Sequence, residues 1–206
     1  YCAIPLIRGR YRSRNPEEIL KEAKILVSEG VKEISVIAQD TTRYGTDLAD
    51  YSLAKLLSNL AKIEGLVSLR VLYLYPDEIT DELLEIIKNE PKLAKYFDIP
   101  IQHASSRLLK EMNRRGDEVF LQNLLDKIRT MIPDAIIRTT LIVGFPGETE
   151  EDFEILKAFV KRNRFERLGV FTYSDEENTK AHHMKNKVPE EIAKKRRDEI
   201  MQIQQE

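Results

Sequence analysis

The feature that most constrains the fold is a junction near the middle of the chain, where an apolar run leads into a turn that contains glycine and proline. The run covers residues 136–143 and is rich in Ile, Val and Leu. Such a run is typical of a strand covered on both faces, which favours a parallel sheet with crossover helices. Beyond the turn, Thr149 and Asp152 have the spacing of a capping box and predict a helix over 150–163.

The turn of this junction, residues 144–149, is a candidate binding site. Gly144 and Gly147 would let the backbone approach another group closely, and a helix start offers free N–H groups to an anion. A strand-to-helix turn that binds nothing is the alternative. Arg138 and Thr140 also stand out, because they are the polar side chains of an otherwise apolar strand.

Five apolar segments have the regular spacing of strands that alternate with helices. They end near Asp40, Pro76, His103, Gly144 and Tyr173, at separations of 27 to 41 residues. This spacing suits one strand and one helix per repeat, as in a β/α barrel. Helical patterns fill the gaps over 16–29, 48–63, 80–89, 105–113, 118–131, 150–163 and 189–205. We therefore predict an α/β fold, a partial, incomplete TIM-type β/α barrel of parallel strands.

Composition narrows the class of protein. A chain of 206 residues, 42% of them hydrophobic, can form one domain with a sizeable core. Its 33 Lys and Arg residues are balanced by 35 Asp and Glu residues, so the net charge of −2 excludes a global basic field for nucleic acid. No apolar run approaches the ~18 residues that a membrane span needs, so we expect a soluble, cytoplasmic protein with no membrane partner.

The expected strand ends carry polar side chains, and in barrels of this type the chemistry lies at the carboxyl ends of the strands. The polar ends are residues 39–42, 75–78, 102–106, 144–149 and 173–178. One polar end would indicate only a turn, whereas five at the same end of a sheet predict a site.

Seven stretches carry a resemblance to a known family: residues 1–5, 8–14, 37–42, 74–76, 98–103, 138–149 and 171–174. With these in view, the chain resembles the radical S-adenosylmethionine (SAM) superfamily, and within it the methylthiotransferases of the RimO type. The resemblance covers essentially the whole chain. The Gly-Phe-Pro-Gly-Glu-Thr element of 144–149 alone would indicate only the wider superfamily.

The resemblance implies an iron–sulfur cofactor. The family holds a 4Fe–4S cluster through three cysteines of a Cys-x-x-x-Cys-x-x-Cys loop, and the remaining iron chelates SAM. Cys2, the single cysteine of this sequence, matches the third of them and is the expected metal ligand, and Tyr1 matches the aromatic residue before it. This sequence cannot hold that cluster alone, which we interpret as truncation or disorder of the segment with the other two cysteines; an unimportant lone thiol is the alternative.

The resemblance also implies which residues contact SAM. Gln39, Asp40 and Thr41 match the region that receives its amino group, and Gln102 and His103 match the positions that bind the ribose hydroxyls. The segments expected to line the adenine contain Gly144, Phe145, Phe171 and Tyr173.

Arg138 is a candidate for the SAM carboxylate, because a guanidinium can bind a carboxylate with two hydrogen bonds. The period of two along a strand places it on one face with Thr140 and Ile142. A structural ion pair with Asp98 is the alternative.

The reaction implied by the resemblance is transfer of a methylthio group to the β-carbon of an aspartate in a small-subunit ribosomal protein, with SAM used both as methyl donor and as radical source. We expect residues 1–206 to be one radical SAM core domain that is inactive alone. A cluster-binding domain would precede it, giving two clusters per full-length protein, and a substrate-binding domain would follow it. We expect a monomer that needs an electron donor.

Other interpretations remain open. A tRNA-adenosine methylthiotransferase shares this core, but it typically carries Gly-Gln-Asn in place of residues 38–40 and lacks the Glu176–Glu177 pair. A non-radical barrel enzyme could bind a phosphorylated ligand at 144–149. The alternating arginines of 8–14 either contact ribosomal RNA or form a solvated arm. The basic run 194–197 is interpreted as a helix surface.

Overall fold

The computed structural model describes residues 3–205, so the expectations for Tyr1 and Cys2 lie outside the described residues. Within this range the α-helices are α1 (Ile4–Arg8), α2 (Pro16–Ser28), α3 (Leu53–Ala61), α4 (Asp81–Asn89), α5 (Ser106–Glu111), α6 (Glu118–Met131), α7 (Glu150–Asn163) and α8 (Glu190–Gln205). The strands are β1 (Glu33–Val36), β2 (Ser68–Val71), β3 (Tyr96–Asp98), β4 (Ile136–Val143) and β5 (Arg167–Thr172). The predicted alternation of five strands with helices is confirmed.

The chain divides into two compact units, which we name after their strand pairs. The β1–β2 unit comprises residues 11–99 and 127–136, and the β4–β5 unit comprises residues up to 10, 100–126 and 137–206. Each unit contains a separate parallel strand pair. None of the described helices is long and apolar enough to cross a membrane.

In the β1–β2 unit, the two strands pair in a register that sets Glu33 opposite Ser68. The core of the unit is aliphatic, and Leu57, Leu69 and Ile87 are completely buried in it. β1 is far less buried than β2; within the described residues β1 has a neighbour on one side only, whereas Leu69 of β2 also bridges to Leu93 on its other side.

In the β4–β5 unit, β4 and β5 pair in parallel with Arg138 opposite Arg167. Burial alternates along β4. One face is buried and consists of Ile137, Thr139, Leu141 and Val143; the other is half-buried and consists of Arg138, Thr140 and Ile142. The prediction that Arg138, Thr140 and Ile142 share a face is confirmed. The expectation that the strand is covered on both faces is wrong in part, because only one face is fully buried.

Side-chain caps explain where five of the described helices begin, namely α2, α3, α4, α5 and α7. Asn15 caps α2 by accepting a hydrogen bond from the Glu17 N–H at 2.8 Å, and α6 and α7 begin and end where the sequence predicts. α3 begins at Leu53 instead of residue 48, because Ser52 caps it and Asp50 has a left-handed backbone with φ +52°. The sequence did not predict α1, a single short turn of helix.

β3 is shorter than the segment that predicts it, which ends near His103. Pro100 has no N–H to donate, and Gln102 has φ +71°, so the extended ladder cannot continue. The backbone resumes pairing for one residue at Gln102, whose N–H donates to the Thr140 carbonyl at 3.0 Å. The segment 99–103 is therefore a bent connection.

Candidate functional site

The turn after β4 binds a carboxylate of its own chain. Gly144 and Phe145 donate their backbone N–H groups to Oε2 of Glu148, the second at 3.1 Å. Successive N–H groups that point inward form an anion-binding concavity, and here the anion is internal. The N–H groups of Gly144 and Phe145 are therefore taken by Glu148, which disfavours the interpretation of 144–149 as a cradle for a phosphorylated ligand. The N–H groups expected at the helix start are different ones, and that of Asp152 donates to Oγ1 of Thr149.

Glu148 is held from the other side by α8. Its Oε1 lies 3.2 Å from Nη1 of Arg196, and both side chains are almost completely buried. Burial raises the pKa of Glu148 to about 7, although Arg196 and the two backbone N–H groups act in the opposite direction. The prediction that 194–197 is a helix surface is wrong for Arg196, because the orientation of α8 directs this one side chain toward Glu148.

The close approach expected at Gly144 is an approach of α8. Gly144 has φ +76°, and a Cβ placed on it would overlap Ala193 of α8. Gly147 also has a positive φ, of +84°, but the nearest atom to a Cβ there would be Nη1 of Arg107 at 3.9 Å. Glycine is thus required at 144 for two reasons, backbone conformation and packing, and at 147 for one.

Asp152 joins the starts of two helices. Its Oδ2 accepts from the Thr149 N–H at 2.9 Å, which completes the predicted capping box of α7, and from Arg107. Its Oδ1 accepts from Oγ of Ser105, the N-cap of α5, at 2.5 Å. Burial alone would raise the pKa of Asp152, but the hydrogen bonds from Arg107, Ser105 and Thr149 outweigh it and hold the pKa well below its usual range.

His103 is completely buried beside this network. Its Nδ1 accepts from the Ser105 N–H at 2.9 Å, which assigns the proton of the neutral ring to Nε2. Nε2 has no hydrogen-bond partner within residues 3–205. Burial lowers the pKa of His103 to about 4, so the ring is neutral near pH 7 and offers one donor.

The residues expected to line the adenine differ in exposure. Phe145 is completely buried and meets the ring of Tyr173 edge-on, with 5.4 Å between centroids. Phe171, in contrast, is 61% exposed and presents a free aromatic surface at the end of β5. Gln102 is buried, and its side-chain amide donates to the Pro100 carbonyl at 3.4 Å.

In the β1–β2 unit, the expected SAM residues follow β1. Gln39 is exposed and Asp40 half-buried, and burial raises the pKa of Asp40 although Thr42 donates to it at 2.6 Å. Thr41 is buried, and its hydroxyl has no hydrogen-bond partner in the described part of the chain. Asp98 accepts from the Tyr73 N–H at 3.2 Å, so its carboxylate has a structural contact of its own.

This sequence supplies only part of the ligand set of an iron–sulfur cluster. The chain has one cysteine, Cys2, and the family's cluster needs three thiolates. Residues 3–205 contain no group of three His, Cys, Asp or Glu side chains that could hold a metal ion. For SAM the fit is partial, because the ring of Phe171 is exposed and uncovered, whereas the unpartnered Nε2–H of His103 is completely buried.

Two groups of this site, Glu148 and Arg196, escaped the sequence reasoning. Glu148 belongs to the Gly-Phe-Pro-Gly-Glu-Thr element, and its position four residues after Gly144 was the available signal. The sequence offers no signal for Arg196, because this residue lies 48 positions from Glu148 within a run of four basic residues.

Sequence comparison identifies relatives along the whole chain. The radical SAM superfamily model matches residues 1–160. The ribosomal protein uS12 methylthiotransferase RimO of Thermoanaerobacter sp. (strain X514) is 53% identical over 207 residues, which cover 100% of this chain and 47% of that protein. RimO of Clostridioides difficile (strain 630) is 54% identical over 206 residues, 100% of this chain and 46% of that protein. The chain spans about half the length of these curated relatives.

Structural comparison shows the same fold in radical SAM enzymes. The radical SAM enzyme HemN, coproporphyrinogen III oxidase of Escherichia coli, matches with a TM-score of 0.62 at 19% identity, over 91% of this chain and 44% of that chain. The radical SAM methyltransferase TsrM of Kitasatospora setae, solved with cobalamin and a [4Fe-4S] cluster, matches with a TM-score of 0.62 at 14% identity, over 79% of this chain and 32% of that chain. These likenesses confirm the predicted fold class, a parallel α/β fold of the partial-barrel type. The chain belongs to the radical SAM superfamily.

Proposed function

We propose that this chain is the catalytic core of a radical SAM methylthiotransferase whose substrate is ribosomal protein uS12. The observation that carries the proposal is identity above 50% to RimO proteins along the full length of the chain. The position of the methylthio group, the β-carbon of an aspartate, is part of the proposal and rests on the resemblance.

Within the β4–β5 unit, the proposed SAM contacts lie after β3, on β4 and at the end of β5. Gln102 and His103 are proposed for the ribose hydroxyls from the resemblance, and the exposed ring of Phe171 would cover a flat apolar face such as adenine. Arg138, on the half-buried face of β4, is proposed for the carboxylate. When bound, SAM supplies the methyl group and, with a reduced cluster, the radical chemistry of the family.

The neighbouring residues would orient these groups. Asp152 ties the turn that carries His103 to the start of α7, and Glu148 fixes the turn after β4. A site built on strand ends and capped helices loses little freedom on binding, which favours accurate placement of a reactive atom. Gln39, Asp40 and Thr41 stay predicted contacts of the amino group in the β1–β2 unit.

The remaining parts of the proposal concern the full-length protein. We infer one core domain over residues 1–206, with Cys2 as one of three cluster ligands, and a second cluster elsewhere in the protein. The partners would be uS12 and an electron donor, and we expect the reaction in the cytoplasm because the proposed substrate is a ribosomal protein. A monomer and contact between the 8–14 arm and ribosomal RNA are further expectations.

A tRNA-adenosine methylthiotransferase is the second candidate, and two short segments of the sequence favour uS12 over tRNA as the substrate. The chain has Ala38-Gln39-Asp40 where the tRNA enzymes typically have Gly-Gln-Asn, and it carries the acidic pair Glu176–Glu177.

The test is a competition between substrates. The full-length protein, reconstituted anaerobically with iron, sulfide and reductant, is given SAM together with uS12 and unmodified tRNA, and both products are examined by mass spectrometry. Methylthiolation of an aspartate in uS12 alone supports the proposal. Methylthiolation of tRNA adenosine alone would transfer the assignment to the second candidate.

A further inference from the structure

Arg196, one of four consecutive basic residues in the middle of α8, makes an unusual set of contacts. It is 7% exposed, and its Nη1 donates to the backbone carbonyl of Glu148 at 3.3 Å and lies 3.2 Å from the Glu148 carboxylate. Its Nη2 donates to Glu150 at 3.0 Å, and the guanidinium lies over the Phe153 ring at 5.2 Å from the centroid. One side chain of α8 therefore contacts the end of the turn and the first residues of α7.

The contact is specific to a guanidinium. The planar fork reaches two acidic residues and a carbonyl at once, which the single ammonium of lysine does not reproduce. Burial makes the partners interdependent, because a buried charge that loses its partner is strongly destabilised. The Glu148 carboxylate is in turn the acceptor of the Gly144 and Phe145 N–H groups. Arg196 on α8 thus holds in place the side chain that accepts from two amides of the turn.

We propose that Arg196 is a positioning residue: with Glu148 it fixes the 144–149 turn in the shape that receives SAM. The proposal rests on the proposed function, since it concerns the same site. It makes α8, a helix with none of the predicted SAM contacts, a determinant of SAM affinity. The route is short, from Arg196 through the Glu148 carboxylate to the amides of Gly144 and Phe145.

Packing around the turn adds to this effect. Ala193, one turn of α8 before Arg196, lies directly against Gly144. The ring of Phe145 is buried with Leu108 and Met112 and contacts Tyr173 at the end of β5. A change in the turn would therefore move the residues that follow β4 and those that follow β5.

The experiment compares Arg196→Met with Arg197→Met in the full-length, cluster-loaded protein. Arg197 is the matched control, because it lies on the same helix, is 40% exposed and pairs only with its neighbour Asp198 among the contacts found for it. Two quantities are measured at a temperature where circular dichroism shows each variant folded: SAM affinity, and hydrogen exchange of the amides in 144–149.

For Arg196→Met we expect SAM affinity to fall about tenfold or more, the equivalent of one lost interaction. Exchange at Gly144 and Phe145 should accelerate, and Arg197→Met should leave both quantities at the wild-type level. A purely structural role would lower stability without changing SAM affinity of the folded protein, so unchanged affinity and exchange in Arg196→Met would overturn the proposal.

Two further outcomes are informative. If Arg196→Met does not fold, the charge-conserving Arg196→Lys decides: accelerated exchange at Gly144 and Phe145 with weaker SAM binding supports the proposal, and wild-type values overturn it. If the wild-type protein itself does not bind SAM, the proposed function fails. The exchange measurement then still shows whether Arg196 fixes the turn.

Discussion

Replacing Gly144 by alanine tests how closely α8 packs against the turn after β4. The residue has φ +76°, and an added Cβ would overlap Ala193. A left-handed backbone costs an L residue roughly 1–2 kcal/mol, and overpacking a close contact costs about 1–3 kcal/mol. We expect Gly144→Ala to lower the free energy of unfolding by about 2–5 kcal/mol, the combined range of these two effects.

Gly147→Ala is the matched control. Its φ of +84° imposes the same backbone cost, but the nearest atom to the new Cβ is 3.9 Å away, at ordinary van der Waals distance. It should therefore lose only about 1–2 kcal/mol. The difference between the two variants isolates the contact with α8.

The double variant Gly144→Ala with Ala193→Gly restores the space. It should recover most of the contact cost, once the ~1 kcal/mol that glycine costs in a helix is measured in Ala193→Gly alone. Urea denaturation of the full-length protein, followed by circular dichroism, gives all four values. Equal losses in Gly144→Ala and Gly147→Ala, or no recovery in the double variant, would refute the close packing of α8 on this turn.

Three further predictions concern charged groups. Burial raises the pKa of Glu148 to about 7 from an ordinary 4.5, so the stability that the protonated side chain contributes is complete below pH 4.5 and is lost as the pH rises through 7. Glu148→Gln cannot titrate, so its free energy of unfolding relative to wild type should rise by up to about 3 kcal/mol across that pH window. Urea titrations at several pH values measure this difference, and a difference that stays constant with pH would contradict the prediction. The groups around Glu148 are unchanged in both proteins, so their own titration, including the opposite effect of His103 with its pKa of about 4, largely cancels. Asp152→Asn should lose about 1.5–3 kcal/mol in thermal unfolding at pH 7, because its hydrogen bonds are charge-assisted, and a neutral outcome would show that they add little. Arg138→Ala should weaken SAM binding about ten- to a hundredfold in calorimetric titration. Arg167, the exposed neighbour of Arg138 on β5, provides the control, because Arg167→Ala should leave SAM affinity unchanged. Equal affinities of the two variants would show that Arg138 has a structural role.

The parts of the fold that follow from local chemistry were predictable. The junction of β4, turn and α7 has its strand period, its glycines and its capping box within one stretch of sequence, and the structure reproduces each of them. The late start of α3 was not predictable from apolar spacing, because it depends on the Ser52 cap and the left-handed Asp50.

The site was harder to predict because its contacts are distant in sequence. The glycine-containing turn indicates an anion-binding concavity, but only the structure shows that Glu148 fills it. Arg196 is one of four consecutive basic residues, and the orientation of α8 alone separates it from Arg197. Tertiary packing decides which charged side chains of such a helix face the protein. The spacing of apolar residues does not predict this in a helix as polar as α8.

The most direct test of the central claim, that this is the core of a radical SAM enzyme, is the production of 5′-deoxyadenosine from SAM by the full-length protein. Wild-type protein and Cys2→Ser are reconstituted anaerobically, iron and sulfide are counted per chain, and the nucleoside is quantified by chromatography under reducing conditions. The account predicts turnover in the wild type, with a loss of both SAM cleavage and one cluster's iron in Cys2→Ser. Equal iron content and equal SAM cleavage in the two proteins would contradict it.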